Sequence, residues 1–262
     1  DELKKSGHYD NTIVIFLSDH GMSLPFAKTN CYVQSTKTPL IIRWPGAIVK
    51  GTSDKEHMIS TVDLMPTILE AVNISNGPPS DGRSFLPLLK GDSQEGRDAV
   101  YTQFNHVHGR NPYPMRSVIT KEYSYIFNAW SNGERSYTAE PMAGLSFKAM
   151  KRAGEKDPLI RARIHHLQHR TVEEFYDLRK DPHSIKNLLN SKESQLGYEE
   201  EISKLRDRML EWMIEFKDPA INAFKHRQSP ESLEKFMEQF TANARAEKEA
   251  LVPYEKAKGY RF

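Results

Sequence analysis

Asp19 and His20 stand directly after the apolar run Ile13-Val14-Ile15-Phe16-Leu17 and Ser18, and Gly21 follows them. A carboxylate is the standard donor to hard divalent cations, whereas an imidazole beside it suits Mn²⁺ or Zn²⁺ better than Ca²⁺, which prefers oxygen. An isolated Asp-His pair more often caps a turn. The run before this one changes the weighing. Four of its five residues are β-branched or aromatic, which predicts a strand buried on both faces, as in the parallel sheets of α/β folds. Such sheets bind ligands beyond the C-terminal ends of their strands, so Asp19 and His20 are candidate metal ligands. Lys28 and Lys37 flank the following loop and are placed to bring an ammonium to a tetrahedral anion, although Lys37 fits a solvated role equally well.

Further along, His106, His108, Arg110 and Arg116 form a polar group after a predicted strand, and each alone suits a solvated loop. The basic stretch 161–170, with His165, His166 and His169, has the composition of a metal or polyanion patch, but a solvated helix face explains it better. Cys31 is the single cysteine. That excludes an internal disulfide and any multi-cysteine metal site, and without a local partner it points to a structural thiol. Asn73-Ile74-Ser75 is a glycosylation sequon of a kind that arises by chance.

The elements that would position these residues follow from periodicity. Residues 1–8 have the pattern of the last turns of a helix with Gly7 as its cap, and a helix without a beginning suggests further chain before it. Thr38 to Gly46 predicts a second buried strand stopped by Pro45-Gly46. Ser60 to Val72 predicts an amphipathic helix with Val62, Met65, Ile68, Leu69 and Val72 on its apolar face. From Arg116 the pattern shortens and alternates over 117–120, 123–127 and 174–178, which predicts an antiparallel sheet in a smaller subdomain. Residues 199–216 predict a helix packed on that sheet, and the charged stretch from Ser229 a surface helix. With 262 residues, 37 basic against 35 acidic and a mean hydropathy of −0.66, the chain has no field suited to nucleic acid, and its polar balance points to a core that is incomplete by itself. No apolar run approaches the roughly 18 residues of a membrane span.

Several ordered stretches resemble the type I sulfatase family of the alkaline phosphatase superfamily: 11–21 through Ser18-Asp19-His20-Gly21, then Thr38 to Gly46, Val62-Asp63-Leu64-Met65-Pro66-Thr67-Ile68-Leu69, Asp81-Gly82-Arg83-Ser84-Phe85 with Leu88-Leu89, and Glu174 to Pro182 with Asn187-Leu188. Asn105 to His108 with Tyr113 to Val118 is most similar to the heparan N-sulfatases. The resemblance implies an α/β fold, part of an alkaline-phosphatase-like sheet sandwich over 1–104, then a smaller α+β subdomain over 105–218 with an antiparallel sheet. A charged tail over 219–262 lies outside the resemblance.

By the same resemblance, the activity is hydrolysis of a sulfate ester or sulfamate on a sulfated glycan, with one divalent metal and a formylglycine made from cysteine. Ca²⁺ is the first expectation for the metal, with Mn²⁺ or Mg²⁺ open. Asp19 and His20 match metal positions, His20 where many members have Asn. Lys28 matches the sulfate-contacting cation and shares a catalytic role with His108, while His106, His108 and Arg116 fall near substrate contacts. The family's Cys-x-Pro/Ala-Ser-Arg motif does not occur, because Cys31 is followed by Tyr32-Val33-Gln34-Ser35. The chain is therefore expected to be the C-terminal half of such an enzyme, with its N-terminal half as partner, homo-oligomerisation open, and a periplasmic, secreted or lysosomal location. The alternatives are a phosphohydrolase of the same superfamily and a non-catalytic fragment that grips an anionic glycan.

Overall fold

The computed structural model describes residues 1–108 and 111–257, with the backbone alone for 251–257. In chain order the elements are α1 (Glu2–Lys5), β1 (Val14–Leu17), α2 (Val33–Thr36), β2 (Leu40–Arg43), α3 (Leu64–Ala71), α4 (Leu86–Leu89), β3 (Ala99–His106), β4 (Pro112–Thr120), β5 (Tyr123–Asn128), α5 (Leu145–Gly154), α6 (Pro158–Gln168), β6 (Glu173–Asp177), α7 (Lys192–Gln195), α8 (Glu199–Glu215), α9 (Ile221–Lys225) and α10 (Pro230–Ala257). They fall into two compact units: Asp1–Asp19 with Thr38–Val100, and His20–Lys37 with the residues from Tyr101 onward. The sequence-based boundary after 104 divides the chain differently, since it leaves 20–37 with the first part.

In the first unit β1 pairs antiparallel with β2, Val14 opposite Arg43 and Leu17 opposite Leu40. Ile15 and Ile42 face Leu64, Thr67 and Ile68 of α3 and Phe85 and Leu89 around α4, across a small apolar gap. The other face stays open: Phe16 is 61% and Ile41 62% exposed. The expected parallel pairing of β1 is corrected to an antiparallel one with β2, and within these residues only the face toward α3 is covered. The helix expected over 60–72 is a 3-10 turn (Thr61–Asp63) followed by α3, and its sheet-facing side is Leu64, Thr67, Ile68 and Ala71. Val62, Met65 and Val72, expected inside, are exposed.

Asp63 organises this unit. It closes a capping box with Ser60, accepts the Arg83 amide at 2.8 Å and pairs with Arg97 Nη1 at 2.6 Å, while Arg97 Nη2 donates to the carbonyls of Arg83 and Ser84. Gly82 lies so close to the turn that an added Cβ would sit 2.1 Å from the Val62 carbonyl oxygen. The stretches 62–69 and 81–85 are therefore one structural joint, a carboxylate with the backbone folded around it.

The second unit holds the four-stranded sheet β3-β4-β5-β6, with β4–β5 and β5–β6 antiparallel as expected. One face packs Tyr32, Met115, Ile126, Trp130, Tyr137, Leu167 and Tyr176 into a single core with α5 and α6. Tyr125 and Phe127, on the other face, meet Phe224 of α9 edge-on, and α8 buries Ile202, Leu205, Met209 and Met213. The stretch expected as a charged surface tail contributes buried Ala223, Phe224, Leu233, Met237 and Ala244.

β6 is buried throughout, and its two adjacent glutamates serve opposite faces. Glu173 Oε1 accepts from Tyr125 OH, Arg206 Nε and Arg227 Nε. Glu174 accepts from Asn128 Nδ2 and from the hydroxyls of Tyr32 and Tyr176, with His166 Nε2 3.4 Å away. Burial alone would raise the Glu174 carboxyl, but His166, Arg170 and the Tyr176 hydroxyl outweigh it and hold it at about 2 against 4.5. A carboxyl depressed by folding adds stability that is complete above its unfolded value and lost as pH falls through its folded one. Chemical denaturation is expected to show this unit losing about 2–3 kcal/mol between pH 4.5 and about 2 through this group. Glu174→Gln is expected to flatten that slope.

Candidate functional site

Asp19 ends the first stretch of the first unit, while the segment His20–Lys37 carries His20, Lys28 and Lys37 in the second unit. Gly21 starts it by close approach: a Cβ there would lie 2.1 Å from the Gln34 carbonyl oxygen and 2.2 Å from that of Ala27, while its amide donates to Ser35. Phe26 and Thr29 both take left-handed φ angles, 67° and 61°, which cost free energy in non-glycine residues and persist only when neighbours enforce them. The neighbours here are identifiable. The Phe26 ring stacks on His166 and lies under the Arg163 guanidinium, 3.5 Å from the ring centroid. Tyr137 OH donates to the Thr29 carbonyl, and Tyr32 is fully buried against Glu174, His166 and Tyr176.

Between these anchors Lys28 keeps about a quarter of its side chain exposed, and its Nζ lies 2.7 Å from Glu140 Oε2. Ser23 Oγ donates to the other Glu140 oxygen at 2.9 Å. Bonds from Lys28 and then Ser23 hold the Glu140 carboxyl below its ordinary value. Sequence reasoning missed Glu140, which lies 112 residues beyond Lys28 in a stretch without a motif. Asp19 and His20 are both exposed, and His20 Nδ1 donates to the Gly21 carbonyl at 2.6 Å. Lys37 is exposed.

The remaining candidates take different places. His106 stacks on Phe240 at 5.2 Å, and His108 is exposed. Arg110 lies outside the described residues. Arg116, expected near substrate, is 1% exposed: its Nε is 2.5 Å from Asp218 Oδ2 and its Nη1 donates to Asn105 Oδ1 and the Met115 carbonyl. A guanidinium so enclosed holds β4 to the turn before α9, and its placement as a substrate contact is corrected to a positioning one. The stretch 161–170 is likewise no simple solvated face. Arg163 donates to the carbonyls of His183 and Ser184, and Arg170 is 2% exposed between the rings of Tyr32 and Tyr137.

Cys31 is fully buried, and that burial pushes its thiol up to about 11. A thiol nucleophile or oxidation target needs thiolate and access, and this one has neither. Treatment of the folded chain with iodoacetamide at neutral pH is expected to leave Cys31 unmodified, with stoichiometric labelling after denaturation, read by intact mass. Among the described residues no group of three or more His, Cys, Asp and Glu side chains could hold a metal ion. One carboxylate and one imidazole, Asp19 and His20, fall short of the six to eight oxygens that Ca²⁺ takes, so these residues alone do not fit the expected cation.

The family model described as Sulfatase matches residues 1–74. An ulvan-active sulfatase of Formosa agariphila is 30% identical over 208 residues, covering 78% of this chain and 38% of the relative. The N-sulphoglucosamine sulphohydrolase of Homo sapiens is 28% identical over 236 residues, covering 85% and 45%. A solved structure in complex with its substrate D-glucosamine-2-N,6-O-disulfate aligns with TM-score 0.55 at 22% identity, over 82% of this chain and 37% of that one. A phosphonate monoester hydrolase from Silicibacter pomeroyi aligns with TM-score 0.55 at 18% identity over the same shares. The chain spans less than half the length of the curated relatives it matches. The structural likenesses show an alkaline-phosphatase-like fold. The first 74 residues match the Sulfatase family model, and most of the chain aligns with proteins named as sulfatases.

Proposed function

We propose that this chain supplies part of the active site of a sulfohydrolase acting on a sulfated glycan, with a sulfamate or sulfate ester as the group cleaved. The observation that carries this is Lys28, an ammonium presented on a segment pinned on both sides and partnered by one exposed carboxylate that an incoming sulfate can displace. Lys28 Nζ donates to sulfate oxygens and offsets the charge that grows on them as the S–N or S–O bond breaks. His108, exposed, delivers a proton to the leaving nitrogen or oxygen, and His106 contacts the glycan beside it. Asp19 and His20 would hold part of the coordination of a divalent cation only if further donors from outside these residues completed it. The reading is supported by relatives named as sulfatases and by one named N-sulphoglucosamine sulphohydrolase. A glycan substrate of this kind accords with a periplasmic, secreted or lysosomal setting.

Formylglycine supplies the nucleophile in this family, but the residues here do not fit it, since Cys31 is enclosed and stands outside the required motif. The 262 residues by themselves are therefore expected to release no sulfate from glucosamine N-sulfate, measured by ion chromatography. A phosphohydrolase is the second reading, favoured by the fold shared with a phosphonate monoester hydrolase. The deciding experiment assays the natural protein containing this sequence on glucosamine N-sulfate, glucosamine 6-sulfate and a phosphonate monoester. A higher kcat/KM for either sulfated sugar is expected. Preference for the phosphonate would overturn the proposal.

A further inference from the structure

Beside Glu173 the second unit contains a cleft of about 460 Å³, within the range of small-molecule sites. Lys28, His106 and His108 take no part in its lining. The charges around it are unequal. Arg206 and Arg227 both line it, and both spend their Nε on the same Glu173 oxygen, at 2.7 and 2.9 Å, so two guanidiniums stand against one carboxylate. Among the described residues lining the cleft no other is charged, which leaves a net positive charge of one. The second Glu173 oxygen accepts from Gln228 Nε2 at 2.8 Å, and Tyr125 OH completes the set, so four donors fix this carboxylate and the arginines with it. A charge-bearing wall built this rigidly needs little ordering to bind an anion.

The rest of the lining is uncharged and mixed, with the side-chain amides of Asn132 and Gln195 and the apolar Val172, Leu189, Pro230 and Leu233. Asn132 Oδ1 is taken by two backbone amides and Gln195 Nε2 by the Leu189 carbonyl, so Asn132 Nδ2 is the donor and Gln195 Oε1 the acceptor placed for sugar hydroxyls, and an apolar patch suits the C–H face of a pyranose ring. We propose that this cleft binds a pyranose bearing one anionic group, carboxylate or sulfate, with the anion against Arg206 and Arg227 and the hydroxyls toward Asn132 and Gln195. The proposal stands on this lining alone. Its failure would leave the sulfohydrolase reading intact, and the converse holds too.

Asn132→Asp is the discriminating variant. Asn132 Oδ1 accepts the amides of Glu134 and Arg135 at 3.0 and 2.8 Å, which a carboxylate preserves, while the added negative charge cancels the net charge of the lining. Titration of the purified chain by calorimetry and by NMR is expected to show glucuronate and glucose 6-sulfate binding with Kd of about 1 mM. Glucose and inorganic sulfate are each expected to bind at least about tenfold more weakly. Asn132→Asp should weaken both anionic sugars about tenfold with an unchanged unfolding midpoint. No binding of either sugar at about 50 mM, equal binding by Asn132→Asp, or inorganic sulfate binding as tightly as the sulfated sugar would each overturn the proposal.

Discussion

Replacing Lys28 with alanine in the natural protein is expected to lower kcat/KM for sulfamate or sulfate-ester hydrolysis by about a hundred- to a thousandfold, the cost of deleting one preorganised donor to a developing oxyanion. The size follows from how the residue is held. Phe26 under Arg163 and Thr29 bonded by Tyr137 fix the backbone on either side, so the ammonium reaches its place without ordering a loop at the moment of reaction. Its partner Glu140 is more than half exposed, and a pair so hydrated is easily exchanged for a sulfate. Glu140→Gln should accordingly lower KM while leaving kcat nearly unchanged. Steady-state kinetics, with thermal unfolding as the control for folding, would check both. Activity of Lys28→Ala within about threefold of the parent would remove Lys28 from the mechanism.

Asp218→Ala is expected to destabilise the second unit by about 3–5 kcal/mol, because it leaves the Arg116 guanidinium charged and enclosed without its counter-ion. It also frees the Ala220 amide, which Asp218 Oδ1 accepts at 2.8 Å. Replacing both members, as in Arg116→Met with Asp218→Leu, should recover most of the loss, since a buried ion pair and an apolar pair of similar volume are often close in stability. Urea denaturation followed by circular dichroism would separate the two outcomes. A loss below about 1 kcal/mol for Asp218→Ala would mean that Arg116 finds water or another acceptor.

Local order was legible in the sequence where one element carries its own signal. The alternating segments around Val118, Tyr125 and Phe175 form the expected antiparallel sheet, and of the helical stripe Ile202, Leu205, Met209, Trp212, Met213 and Phe216 the first three and Met213 are buried while Phe216 is exposed. The site was legible only in part. Lys28 stood out as a cation on a loop, but Glu140, the partner that sets its present contact, lies in a stretch with no periodicity. Arg116 looked like a substrate cation because its counter-ion is 102 residues away, and Tyr32 looked like loop although it bonds Glu174 at a separation of 142. Pairings of that range follow from the whole packing, which no window of sequence contains. The face of α3 was legible in part: Ile68 of the expected stripe meets the sheet, but Leu64, Thr67 and Ala71 flank it there in place of Val62, Met65 and Val72.

The two glutamates of β6 tie the strand to one register against β5, because each is met by donors placed for its own side chain. Sliding it by one position against β5 would exchange the sides on which Glu173 and Glu174 emerge. Glu174 would then confront Arg206 and Arg227, while Glu173 entered the tyrosine-lined core, with each carboxylate among donors spaced for the other. The native register is the one in which both carboxylates find donors at bonding distance, Glu173 among Tyr125, Arg206 and Arg227 and Glu174 among Asn128, Tyr32 and Tyr176.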